Sequence, residues 1–196
     1  MRLGVRAICA GISGVEVIAD VKTAGDAVAL CRAAHPNVIV MDPDLPGRTG
    51  VDAIGRIIRD DPSARVIALT MRDDDAFVLD TVRAGVRAFL PKTIDAATLI
   101  DAVSAVHRGE YLIDPVLAAR VMGDFHQHAT LNPSLPVLLE KEMAVLRLLA
   151  EGLDNRDIAA TLGCSEHVVS NRLRTIFGKL RVSNRTQAAL YAYKFL

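Results

Sequence analysis

Cysteine is too scarce to hold this chain together. Cys9, Cys31 and Cys164 are odd in number and widely spaced, with no Cys-x-x-Cys pair. No disulfide framework is expected, and the three read as buried, reduced thiols of a cytoplasmic protein. A membrane-spanning run is missing too, since no segment is long and apolar enough to cross a bilayer. The apolar start, Gly4 to Ala19, is interrupted by Arg6 and Glu16, and its pattern continues into a folded domain rather than a cleaved leader. His126 and His128 have no cysteine or further histidine nearby, so a metal site there lacks ligands and none is expected. Low-complexity sequence is absent, and 51% of the 196 residues are apolar, enough for one large core or two small ones. Net charge is also absent: 23 basic and 23 acidic residues cancel.

The cancellation is uneven. From Ser165 to the end, Arg172, Arg174, Lys179, Arg181, Arg185 and Lys194 face a single acid, Glu166. That tail carries +5 and the rest of the chain −5, which suits an anionic partner for the tail. Within it, Asp154 to Val182 reads as two short helices around a tight turn. Asp154 suits an N-cap, and Asp157 puts a negative charge in the first turn. Gly163 can stop the first helix in left-handed geometry, and Ser165 caps the second. Val169, Leu173, Ile176 and Leu180 form one apolar stripe on that second helix. His167, Ser170, Asn171, Arg174 and Gly178 fall on another face, with the short polar and cationic groups that a helix in a major groove needs. The simpler reading is a helical bundle with a solvated basic face.

At these residues the chain resembles the LuxR-type DNA-binding domain. The resemblance is carried by 144–153, by Asn155-Arg-Asp-Ile-Ala159, by Ser165, Lys179, Leu180 and Val182, and by Arg185-Thr-Gln-Ala188. It covers about 137–196, with the helix-turn-helix at 154–173. It implies that Ser170, Asn171 and Arg174 contact bases and phosphates of double-stranded DNA. Arg172, Lys179 and Arg185 join them as expected DNA-binding residues, Lys179 and Arg185 at phosphates. The family usually has Thr, Lys and His where this chain has Val168, Ser170 and Arg172, and Gly where it has Arg181. A final helix, Arg185 to Lys194, opens with Asn184 and Gln187 in capping-box spacing. Its Ala188, Ala189, Tyr191 and Ala192 suggest either a two-fold homodimer contact or completion of the bundle core.

The front of the chain alternates strands and helices. Helices are expected at 3–12, 24–34, 51–59, 73–84 and 96–107. Strands are expected at Glu16 to Val21, Asn37 to Met41, Arg65 to Thr70 and Ala88 to Leu90, several as continuous apolar runs buried on both faces. This indicates a doubly wound α/β domain ending near Ile113, then a helix from Asp114 to Phe125 and a proline-bearing linker to Pro136. Chemistry in such sheets gathers at the carboxyl ends of the strands. Asp42, Thr70 and Lys92 sit at three successive ends: a carboxylate, a hydroxyl and an ammonium that together suit a phosphoryl group.

With Met41-Asp42, Leu45-Pro46-Gly47, Gly50, Leu69-Thr70, Arg83-Ala84-Gly85 and Phe89-Leu-Pro-Lys92, this region resembles the receiver domain of bacterial two-component response regulators. The resemblance implies a flavodoxin-like parallel sheet. It makes Asp42 the phospho-acceptor, Thr70 and Phe89 the switch pair, Lys92 the phosphate-binding cation, and a sensor histidine kinase the donor. Both domains together indicate the NarL/FixJ class of transcription regulators rather than an enzyme. One part of the receiver pattern is missing: the first strand and its acidic pair, which with the phospho-acceptor hold magnesium. No acid precedes Glu16. Either the sheet closes without that strand, another segment or chain fills the gap, or the sequence is truncated at its start. No cofactor is expected, magnesium being short of carboxylates, and phosphorylation at Asp42 is expected to be weak or absent. Two other readings stay open. Asp42-Pro-Asp44 also fits the nucleophile motif of haloacid-dehalogenase-type phosphatases, and the front domain could dimerise or bind a ligand without phosphorylation.

Overall fold

The computed structural model describes residues 2–44, 49–72, 74–113 and 138–195. It divides into two compact units, Met1–His107 and Arg108–Leu196. The division falls ahead of the boundary expected at Ile113, because Tyr111 packs against the helical core of the second unit. The helix and linker expected between Asp114 and Pro136, the histidines within them, and Leu45-Pro46-Gly47 lie outside the described residues.

The first unit runs α1 (Arg2–Ala10), α2 (Ala24–Ala34), β1 (Ile39–Met41), α3 (Thr49–Asp60), β2 (Val66–Thr70), α4 (Asp75–Ala84), β3 (Ala88–Pro91) and α5 (Ala96–His107). The three strands form one parallel sheet in the order β1-β2-β3, with Ile39 opposite Val66 and Ala68 opposite Phe89. Every residue of β2 is buried, as its unbroken apolar run requires of a central parallel strand covered on both faces. α2 packs on α3 and α3 on α4, while α1 packs on α5 and α5 on β2. The core is aliphatic: Ile54, Ile57, Val66, Ile67, Val82, Val86 and Val106 are almost wholly enclosed. α4 stops at Gly85, whose φ of 111° is open to glycine.

The strand expected at Glu16 to Val21 is not formed; these residues belong to no ladder. A strand is defined by hydrogen bonds to a neighbour, and in a flavodoxin-like order this segment's neighbour is a first strand that is not among the described residues. Its alternation survives only as uneven burial, with Ile18 half exposed. The sheet therefore does not close over the gap among the described residues.

In the second unit, α6 (Glu140–Ala150), α7 (Asn155–Leu162), α8 (Glu166–Leu180) and α9 (Arg185–Phe195) enclose a separate core. Val145, Leu146 and Leu149 meet Ile158, the Val169–Leu173–Ile176–Leu180 stripe and Ala188. Side-chain caps start α7 and α8 as expected: Asp154 accepts from the N–H of Asp157, and Ser165 from that of Val168. Gly163 ends α7 at φ 60°. Arg181 ends α8 at φ 55°, so the position where the LuxR-type pattern has glycine keeps its left-handed backbone with a side chain attached. Among the described residues no helix is long and apolar enough to cross a membrane.

Candidate strand-end site and nucleic-acid interface

At the carboxyl ends of the strands, the sheet brings Asp42 and Lys92 into direct contact, Nζ to Oδ2 at 2.5 Å. The other carboxylate oxygen of Asp42 accepts the N–H of Asp44 at 3.0 Å. Thr70 is buried; its hydroxyl oxygen accepts the N–H of Arg72, and its carbonyl accepts the N–H of Lys92. Phe89 is half-buried on β3, next to the strand that carries Thr70.

A fourth residue belongs here that the motif reading passed over. Arg72 donates to Asp74 at 2.8 Å, lies 3.5 Å from Asp44, and stacks over Phe77 at 4.1 Å from the ring centroid. Asp74 also caps α4 through the N–H of Phe77, and the Arg72 guanidinium holds its carboxyl below the usual carboxylate range. Arg72 thus ties the loop after Asp42 to the start of α4. The signal was present in the sequence as a cation two residues past Thr70, between acids at 44 and 74.

Magnesium, which the receiver pattern implies, needs about six oxygen ligands in octahedral array. Among the described residues, Asp42 and Asp44 are carboxylates at hand, one already bound to Lys92 and the other beside Arg72. No group of three or more His, Cys, Asp or Glu among the described residues is placed to hold a metal ion. Two carboxylates already engaged by cations offer fewer oxygens than the ion takes.

In the second unit, α8 buries its apolar stripe and turns His167, Ser170, Asn171, Arg174 and Gly178 to solvent, with Arg172 half-buried. Asn155, at the start of α7, donates through Nδ2 to the Ser170 hydroxyl at 3.2 Å and accepts from Arg185 at 3.1 Å. Arg185 also donates to the carbonyl of Leu153. Only 7% of Arg185 is exposed, so this guanidinium serves the junction of α7 and α9. Lys179 is likewise turned inward: it donates to both oxygens of the buried Glu142, at 2.8 and 2.6 Å. Lys179 and Arg185, the two cations expected at phosphates, thus both have internal acceptors.

The capping box of α9 is present in modified form. Asn184 accepts from the N–H of Gln187, and Gln187 accepts from that of Ser183. Ala188, Ala189 and Ala192 are buried in the unit's own core, so they complete the bundle and are not a dimer surface. Tyr193, at 80% exposed, is a large side chain that this helix offers to solvent.

Residues 1–104 match the response regulator receiver domain, and residues 136–192 match the luxR family of bacterial regulatory proteins. The transcriptional regulatory protein LiaR of Bacillus subtilis is 33% identical over 196 residues, which span 99% of this chain and 92% of LiaR. The response regulator VraR of Staphylococcus aureus is 30% identical, over 99% of this chain and 91% of its own. A LuxR-family two-component response regulator from Aurantimonas has a crystal structure that covers 62% of this chain and 87% of its own, at 32% identity and a TM-score of 0.54. The RcsB–DNA complex shares the fold, with a TM-score of 0.52 over 97% of this chain and 92% of its own, at 24% identity. With a receiver match over the sheet that carries Asp42, Thr70 and Lys92 and a luxR-family match over the capped helix pair, the chain belongs to the response regulators, as a DNA-binding transcriptional regulator with a receiver domain ahead of a LuxR-family domain.

Proposed function

We propose that α8 reads the operator through Asn171 and Arg174, with Ser170 beside them and Arg172 on the flank. The observation that carries this is the division of α8 into a fully packed apolar stripe and an exposed face of short polar and cationic groups. Arg174 is exposed, and an arginine at this place suits a bidentate contact to guanine or a phosphate. Replacing Arg174 by alanine should weaken specific duplex binding by about 1–3 kcal/mol if a base is the target. Unchanged binding in a fluorescence titration would remove α8 from the interface. The protein is read as a cytoplasmic homodimer on a near-palindromic site, by analogy of half-site spacing with two-fold operators. The same titration tests this through stoichiometry, where one protomer per saturated operator would argue against it.

We propose further that Asp42 is phosphorylated weakly or not at all in the 196-residue chain. An incoming phosphoryl group and a carboxylate repel each other, and the metal normally offsets that repulsion. Here Lys92 neutralises one oxygen of Asp42, but one ammonium cannot also position the donor. A sensor histidine kinase is the partner class that a receiver-type domain implies. Its influence on this chain would have to bias the two states of the domain without stable transfer to Asp42. The phosphatase alternative is not needed, since the receiver match accounts for Asp42, Thr70 and Lys92 together. Incubation with acetyl phosphate and magnesium, followed by intact mass, should show an unmodified chain. Addition of one phosphoryl group, lost in Asp42→Asn, would overturn the proposal.

A further inference from the structure

His167 and Asn171 stand one helical turn apart on the outer face of α8, and the Asn171 Nδ2 atom lies 3.0 Å from the His167 Nε2 atom. Both side chains are exposed. An amide nitrogen has only protons to offer, so in this contact Nδ2 donates and Nε2 accepts, which takes the tautomer that carries its proton on Nδ1. One of the two amide protons is thereby spent on the imidazole. The second proton and Oδ1 remain, side by side, as a donor–acceptor edge. That edge matches adenine in the major groove, where N7 accepts and the N6 amino group donates. Without the histidine the amide is free to turn over, which exchanges donor and acceptor and removes the match.

We infer that His167 is a specificity-determining positioning residue, which holds the Asn171 amide in the orientation that reads adenine. The inference rests on the reading of α8 as the recognition helix. It also differs from an ordinary polar pair at i,i+4, which would add a few tenths of a kilocalorie to the helix and leave base choice alone. Ser170 is treated similarly on the same face: the Asn155 amide donates to its oxygen and leaves the hydroxyl proton for the partner.

The test uses the full chain and a library of duplexes randomised across one half-site, with base preference read by sequencing the bound fraction. The native chain should select adenine at one position by about tenfold or more. Asn171→Ala should lose that selection. His167→Ala should lose it at the same position only, with unchanged affinity for duplexes that lack adenine there and an unchanged urea midpoint. His167→Gln, whose Oε1 can also accept from Nδ2, should restore it. If Asn171→Ala loses the selection and His167→Ala keeps it, the positioning role is wrong and the recognition helix stands. If the native position selected through Asn171 is not adenine, the inference fails as well. If Asn171→Ala and Arg174→Ala both leave binding and selection untouched, the recognition reading itself falls, and this inference with it.

Discussion

Arg185→Ala should lower the stability of the DNA-binding unit by about 2–3 kcal/mol, the size expected for charged hydrogen bonds whose buried partners are left unpaired. For a domain of this size that is a fall in melting temperature on the order of 10 °C. The guanidinium is buried, and it joins the carbonyl of Leu153 and the amide of Asn155 across the junction of α7 and α9. Alanine can satisfy neither acceptor, and water would have to enter a closed site to do so. Asn155 would also lose the partner that fixes its amide, so Ser170 on the exposed face of α8 should be less well ordered. The contrasting role, a phosphate contact, has a different signature. It would leave the unfolding midpoint where it is and reduce the slope of log affinity against log salt by roughly one. Urea unfolding and a salt titration of Arg185→Ala therefore decide between the two, and an unmoved midpoint with a reduced slope would refute the structural role.

This residue marks where sequence reading reached its limit. The positive charge of the tail was countable, and it pointed correctly to an anionic partner. Counting cannot say which cations already have acceptors within the fold. The acceptors of Arg185 lie about thirty positions away, at and just before the start of α7, and that of Lys179 thirty-seven positions away in α6. The three alanines of α9 were ambiguous for a related reason. Small residues let helices approach closely, and the neighbour can equally be the chain's own α6 or a second copy.

The helices were more legible because their signals are local. Caps at Asp154 and Ser165 and the stop at Gly163 specify α7 and α8 almost to the residue. Strand β2 was legible as a buried apolar run, since a central parallel strand needs no alternation. The segment from Glu16 to Val21 misled for the opposite reason. β-branched alternation expresses a capacity to pair, and pairing needs a partner that the described residues do not supply. At the strand ends, Asp42, Thr70 and Lys92 could be placed from spacing alone. Arg72 could not, because its role depends on Asp44, Asp74 and Phe77 closing around it in space.

Lys179→Met should also destabilise the DNA-binding unit, by about 1–3 kcal/mol, although methionine keeps most of the apolar stem. The loss falls on Glu142, a buried carboxylate at the start of α6 that accepts twice from Lys179 and once from the N–H of Leu139 at 2.7 Å. Removing the ammonium leaves that charge with one backbone donor. The pair joins α6 to α8, so the helix with the exposed polar face is anchored by it. Lys179 first, and the Leu139 N–H second, hold the Glu142 carboxyl below the usual glutamate range. A carboxyl depressed in the folded state contributes stability above its unfolded pKa of about 4.3, and loses it as the pH falls through the lower folded value. The difference in unfolding free energy between the native chain and Glu142→Gln should therefore be largest near neutrality and shrink below about pH 4. Lys179→Met combined with Glu142→Gln should cost less than the sum of the two single changes, because the second removes the charge that the first had stranded. Urea unfolding of the four proteins at neutral and acid pH measures both effects. Additive losses with no dependence on pH would mean that the pair contributes nothing beyond the packing of its two side chains.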